Sequence, residues 1–199
     1  SAGGGALDKK VNRKDGYIIV TFSWVLFATF GMLPFLVGRY TDSVANAFLE
    51  TMSGFTTTGA TIFDNIESLP HGILFWRSLT QWFGGLGIVF FTIAVLPIFG
   101  SGGMKLFAAE TTGPTHSKLH PRLDVTGKWI WTIYLIITIT HAALLVLGDM
   151  PLFDSVCTAM STAATGGLSV KQSSIEAYHS PYIEYITTLF MLISGLNFT

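Results

Sequence analysis

Four long apolar stretches, at residues 17–37, 73–99, 129–147 and 182–199, alternate with two half-polar ones at 42–67 and 149–180. An α-helix crosses a bilayer with about 20 mostly apolar residues, so each long stretch predicts a membrane span, the last of them running to the chain end. Each half-polar stretch opens with a semi-apolar segment too short to cross, because a run of about 10–14 residues reads as re-entrant or interfacial. A strip of threonines and glycines follows, "SGFTTTGATIF" from Ser53 in one stretch and "STAATGGLSV" from Ser161 in the other. The order of span, half-helix, polar strip and span occurs twice.

Laid over each other at a constant offset, Met52 and Ser53 meet Met160 and Ser161, Thr57 meets Thr165, and Gly59 meets Gly167. Thr61 and Ile62 then meet Ser169 and Val170. In the spans that follow, "GGLGI" from Gly84 corresponds to "SGLNF" from Ser194. Internal repeats of this kind mark many transporter folds. The predicted class is an all-α membrane protein of tandem repeats: a leading segment 1–15, a first repeat 16–100, a linker 101–127 and a second repeat 128–199.

Composition agrees. Half of the 199 residues are hydrophobic and 12% are charged, against about a quarter charged in soluble domains. A net charge of −1 gives no sign of a nucleic-acid partner, so membrane lipid is the expected surroundings. The single cysteine, Cys157, excludes an intrachain disulfide. Lys9, Lys10, Arg13 and Lys14 precede the first span, and Lys105, Lys118, Arg122 and Lys128 lie between the second and third; the other connections hold only Arg39 and Lys171. Basic residues gather on the cytoplasmic side, which makes the N-terminus and the 101–127 loop cytoplasmic and opens the re-entrant segments to the outside.

Non-helical backbone at membrane depth survives only when buried in protein or lining a watery cavity. A ring of backbone carbonyls can replace the hydration shell of a small cation, and Gly59 and Gly167 suit the strand this needs because glycine reaches φ > 0 freely. Thr57, Thr58 and Thr165 can add hydroxyl oxygens. A short helix over residues 43–54 would point its C-terminus, with its partial negative charge, at a cation on the strip. An anion site would instead call for helix N-termini or basic residues, and neither strip has any.

The pieces "SGFTTTGATIFDNIESLPHGILFWRSLTQWFGGLGI", "AAETTGPTHSKLHPRL" and "STAATGGLSV" resemble the TrkH type of the Trk/Ktr/HKT potassium transporters. The resemblance implies four tandem M1–pore helix/filter loop–M2 repeats around one pore, with K+ as the transported ion and no organic cofactor. It also implies a bacterial inner-membrane location, a homodimer, and a cytosolic nucleotide-binding regulatory subunit of the TrkA/KtrA type. By that resemblance the ion-binding filter positions are Thr57, Thr58, Gly59 and Ala60 in the first repeat and Thr165, Gly166, Gly167 and Leu168 in the second. The sequence holds the first repeat and most of the second, so it is expected to be part of a larger transporter whose remaining repeats complete the pore.

Other polar residues bear on the site or on rival readings. Glu50 falls in the first half-helix, where a carboxylate must face protein or pore water and can support the filter. Arg77 either pairs with Glu50 or bonds strip carbonyls, with snorkelling to the interface as the alternative. His141 lies inside the third span and is expected to be a neutral imidazole bonded to a backbone carbonyl of an adjacent helix. Gly84, Gly85 and Gly87 fit close helix packing better than a nucleotide loop. The rival function is an integral-membrane enzyme with a metal or acid/base site in the cytoplasmic loop, for which Glu110, His116 and His120 are the available residues; a non-conducting assembly or anchor piece is a third reading.

Overall fold

The computed structural model describes residues 13–95 and 123–196, and every regular element among them is helical. Helices α1 (Arg13–Gly31) and α2 (Leu33–Val37) make one interrupted span. The break at Met32 follows from Pro34, which has no N–H to continue a helix but is well suited to starting one. The short helix α3 (Val44–Phe55) is capped by Ser43, whose Oγ accepts from the Asn46 N–H at 3.3 Å. The second span is α4 (His71–Val95), about 37 Å long at 1.5 Å per residue. After the linker come α5 (Leu123–Leu147), the second short helix α6 (Leu152–Ala163) and α7 (Pro181–Gly195).

Over the described residues the predicted spans fall on helices; residues 96–99 and 197–199 of the second and fourth lie outside them. Among the described residues, 20–37 and 128–147 are long and apolar enough to cross a membrane by themselves. Helix α5 starts six residues ahead of the apolar run, because hydropathy marks the hydrocarbon thickness and not where backbone hydrogen bonding begins. The short helices α3 and α6 end inside the protein, as a re-entrant segment requires.

Each short helix packs between the two spans of its own repeat, α3 against α1 and α4, and α6 against α5 and α7; α4 also lies along α6. This last contact joins the repeats. Its centre is a cluster of Trp82, Leu86, Tyr134, Met160 and Ala163, where the Tyr134 hydroxyl donates to the Trp82 carbonyl at 3.0 Å and the Trp82 indole N–H to Thr138 Oγ1 at 3.1 Å. Both first spans end alike. The Tyr40 N–H reaches the Phe35 carbonyl and the Met150 N–H the Leu145 carbonyl, past left-handed residues Arg39 and Asp149, which is the six-to-one bond of a Schellman ending.

The glycines of α4 serve helix packing. A Cβ on Gly84 would enter the Phe55 carbonyl at the end of α3, and one on Gly85 would come within 2.9 Å of the Ala164 Cα. Both obstacles are backbone and cannot swing aside. Gly84→Val is therefore expected to cost about 1–3 kcal/mol and to lower both membrane abundance and the melting temperature in detergent. Gly72→Ala, where a Cβ meets nothing within 4 Å, is the control; equal behaviour of the two variants would contradict this account.

Candidate ion-binding site

Both short helices release their chains in the same way. In the first repeat the N–H groups of Thr56, Thr57 and Thr58 bond to the carbonyls of Met52, Gly54 and Ser53; in the second those of Ala164, Thr165 and Gly166 bond to Met160, Thr162 and Ser161. Thr57 and Thr165 each have φ 52°, and two residues later Gly59 and Gly167 have φ 79° and 84°. Glycine takes the left-handed region freely, but a β-branched threonine there is held against a steric cost of roughly 1–3 kcal/mol. Both helix C-termini, the negative ends of their dipoles, thus point at the strips.

The strips lie side by side. A cavity of about 300 Å³ is lined by Thr57, Thr58, Thr165, Gly166, Gly167 and Leu168, with Thr158, Ser161, Thr162 and Ser169 also on its wall. Gly59 and Ala60 are not on its wall. The Cα of Gly59 faces the Gly166 carbonyl, which a Cβ would strike, so this position is closed to side chains by contact as well as by φ. The Ala60 carbonyl accepts from Ser53 Oγ at 2.6 Å, so it is turned toward α3. A Cβ on Gly167 would meet nothing within 4 Å.

Behind the strips sits an ion pair. Arg77 Nε donates to Glu50 Oε1 at 2.7 Å, with the two side chains 1% and 0% exposed. Glu50 Oε2 accepts from the Ile62 N–H at 2.8 Å, and the Thr61 hydroxyl donates to both carboxylate oxygens. Arg77 Nη2 reaches Thr61 Oγ1 at 3.0 Å, and Nη1 crosses to the Ser169 carbonyl of the second strip at 3.1 Å. Arg77 therefore pairs with Glu50 and bonds a strip carbonyl together, and it does not snorkel.

Gln81 lies one turn along α4 from Arg77, and in the sequence it interrupts the second apolar run beside that arginine. It is fully buried, and its Oε1 accepts from Ser161 Oγ at 2.8 Å and from the Leu168 N–H at 3.2 Å. Its amide fills the space a Cβ on Gly166 would need. A polar residue at i+4 from a buried arginine, on the face turned to the second strip, was the available signal. His141 departs from expectation: neither ring nitrogen has a hydrogen-bond partner among the described residues, and the ring instead stacks on Phe190 at 4.5 Å. The carbonyls of α7 are spent within their own helix, which leaves the imidazole a flat ring as its neighbour. Glu110, His116 and His120 lie outside the described residues.

A family model described as TrkH, cation transport protein, matches residues 5–199. The TrkH potassium uptake proteins of the Trk system from Salmonella typhimurium and Escherichia coli are 41% identical over 95% of this chain and 40% of their own length. The TrkG protein of E. coli is 38% identical over 96% of the chain. The crystal structure of the potassium transporter TrkH from Vibrio parahaemolyticus superposes with a TM-score of 0.81 at 38% identity, covering 96% of this chain and 38% of that one. The chain thus spans about 40% of the length of these relatives, and their names are those of transporters and not of enzymes.

The Glu50 and Arg77 contacts carry a prediction. Arg77→Met strands a buried carboxylate, at a cost of about 3–5 kcal/mol, whereas Arg77→Met combined with Glu50→Gln removes both charges and is expected to be the more stable of the two. Melting of the full-length protein in detergent measures this. Additive destabilisation in the double variant would contradict the pairing.

Proposed function

The chain belongs to the TrkH family of cation transport proteins, and from that premise we propose that it supplies two repeats of a potassium-conducting pore, each lending one strip to a shared selectivity filter. The carrying observation is the matched backbone of the strips, left-handed at Thr57 and Thr165 and again at Gly59 and Gly167. Two strips of one conformation, set side by side at the C-termini of two re-entrant helices, can present successive carbonyls to one dehydrated K+. Thr57 and Thr58 form one wall of this filter, continued by Gly59 against the next strip and ended by Ala60, whose carbonyl turns back to α3; Thr165, Gly166 and Gly167, with Leu168, form the next. Glu50 and Arg77 support it.

Two strips do not surround an ion. Gly59 abuts the Gly166 carbonyl of the following strip, while the matching side of Gly167 is open, which supports a further strip at that edge and so a ring continued by other repeats of a longer chain. The repeats are 16–100 and 128–199. In this reading the protein is a multi-pass component of a bacterial inner membrane, with 1–15 and 101–127 in the cytoplasm. It works as a homodimer with a cytosolic nucleotide-binding regulatory subunit of the TrkA/KtrA type.

Two measurements test the reading. A cysteine placed at Ser117 in intact cells is expected to resist an impermeant external reagent; labelling from outside would reverse the topology. In the full-length protein, Gly59→Ser adds a side chain where both φ and the Gly166 carbonyl forbid one. Uptake of K+ in competition with Na+, normalised to protein in the membrane, is expected to lose K+ preference more than abundance falls. An abundant variant with an unchanged ratio would sink the filter assignment.

A further inference from the structure

A Cβ on Gly167 would meet no atom of the described residues within 4 Å, and at φ +84° a glycine turns freely. Among the described residues, the next peptide group is what fixes the direction of its carbonyl. The Leu168 N–H donates to Gln81 Oε1 at 3.2 Å, and because no peptide bond among the described residues is cis, the Gly167 C=O in the same planar unit points the opposite way. Gln81 lies behind the strip on α4, fully buried, and Gly167 lines the cavity in front.

From this geometry we propose that Gln81 is a specificity-determining positioning residue, one that aims the Gly167 carbonyl into the ion path. The Ser161 hydroxyl, donating to the same Oε1 at 2.8 Å, fixes the amide, and Gly166 leaves room for it. Gln81 Nε2 has no partner among the described residues, so the acceptor oxygen is the functional half of the side chain. The first strip uses another device: Ser53 Oγ holds the Ala60 carbonyl, and the neighbouring strip closes on Gly59. Control of Gly167 thus comes from the M2 helix of the preceding repeat, so the second strip is aimed across the boundary between repeats.

This proposal rests on the filter reading, and the experiment separates the two. In the full-length transporter, Gln81→Met keeps the bulk beside Gly166 and accepts no hydrogen bond of comparable strength. Its K+/Na+ uptake ratio, normalised to protein in the membrane, is expected to fall roughly three- to tenfold, the effect of one lost hydrogen bond. Gln81→Glu retains an acceptor for the Leu168 N–H and is expected to keep the ratio within about twofold. Ser161→Ala, which frees the amide, is expected to shift the ratio in the direction of Gln81→Met, and it decides the matter if Gln81→Met does not accumulate. Unchanged ratios in Gln81→Met or Ser161→Ala beside a lowered ratio in Gly59→Ser overturn the role of Gln81 and leave the filter standing. Unchanged ratios in all three overturn both, and a Gln81→Glu variant as unselective as Gln81→Met removes the acceptor argument.

Discussion

Glu50 and Arg77 are sealed away together, and burying two charges costs several kcal/mol for each ion before any contact is made. The cost is offset only because nearly every hydrogen-bonding position is used: Arg77 reaches Glu50, Thr61 and Ser169, and the carboxylate takes the Ile62 N–H and the Thr61 hydroxyl. Apolar residues of the same shape would be as stable or more so, so stability is a poor reason for the pair to be there. What apolar residues cannot do is hold a backbone N–H of one strip, on the Glu50 carboxylate, and a carbonyl of the other, on the Arg77 guanidinium, through two groups bonded to each other. The pair sets the spacing of two strips that have no hydrogen-bonded ladder of their own, and the rest of the site is arranged on that spacing.

The two repeats reach one backbone with different side chains. At the offset that aligns the strips, Thr158 stands where Glu50 does, and in the spans Thr187 stands where Arg77 does. The second repeat thus has no charged pair at this place; Thr187 Oγ1 is buried without a partner among the described residues. Its strip is held from α4 instead, by Arg77 at Ser169 and by Gln81 at Leu168. Helix α4 therefore serves both strips, and the shared core of Trp82, Tyr134 and Met160 keeps it from shifting relative to α6. The second repeat thus depends on the closing span of the first for the posture of its own strip, which couples the two repeats mechanically.

Spans, short helices and the glycine positions were legible in the sequence because they follow from local rules: apolar length sets the spans, length below that of a crossing sets the re-entrant helices, and free φ sets Gly59 and Gly167. The repeat was legible because one offset carried Met52, Thr57 and Gly59 onto their counterparts. The pairing of Glu50 with Arg77 was half legible, since two opposite charges at membrane depth have few partners to choose from. Gln81 was not, because its role depends on an Oε1 reaching a strip 87 residues later in the chain. Nor was the turn of the Ala60 carbonyl toward Ser53, a choice between two directions of one peptide that sequence pattern does not encode. His141 misled for a related reason: a buried imidazole ordinarily finds a hydrogen bond, and here the nearest surface is an aromatic ring.

Thr57 and Thr165 show what the arrangement costs. Glycine at the same helix endings would relieve roughly 1–3 kcal/mol of backbone strain at each, and both residues adopt the same φ in spite of it. Threonine differs from glycine there in two ways, a hydroxyl on the cavity wall and a stiff Cβ that narrows the conformations open to the turn. The second matters for any site that must tell one cation from another. A glycine at the turn and another two residues later would let the strip between them rotate, and carbonyls free to rotate would close around a smaller ion. A branched residue at the first position leaves the left-handed glycines Gly59 and Gly167 as the free hinges, Gly166 being covered by the Gln81 amide, and those are the two points that the neighbouring strip and the Gln81 hydrogen bond then secure.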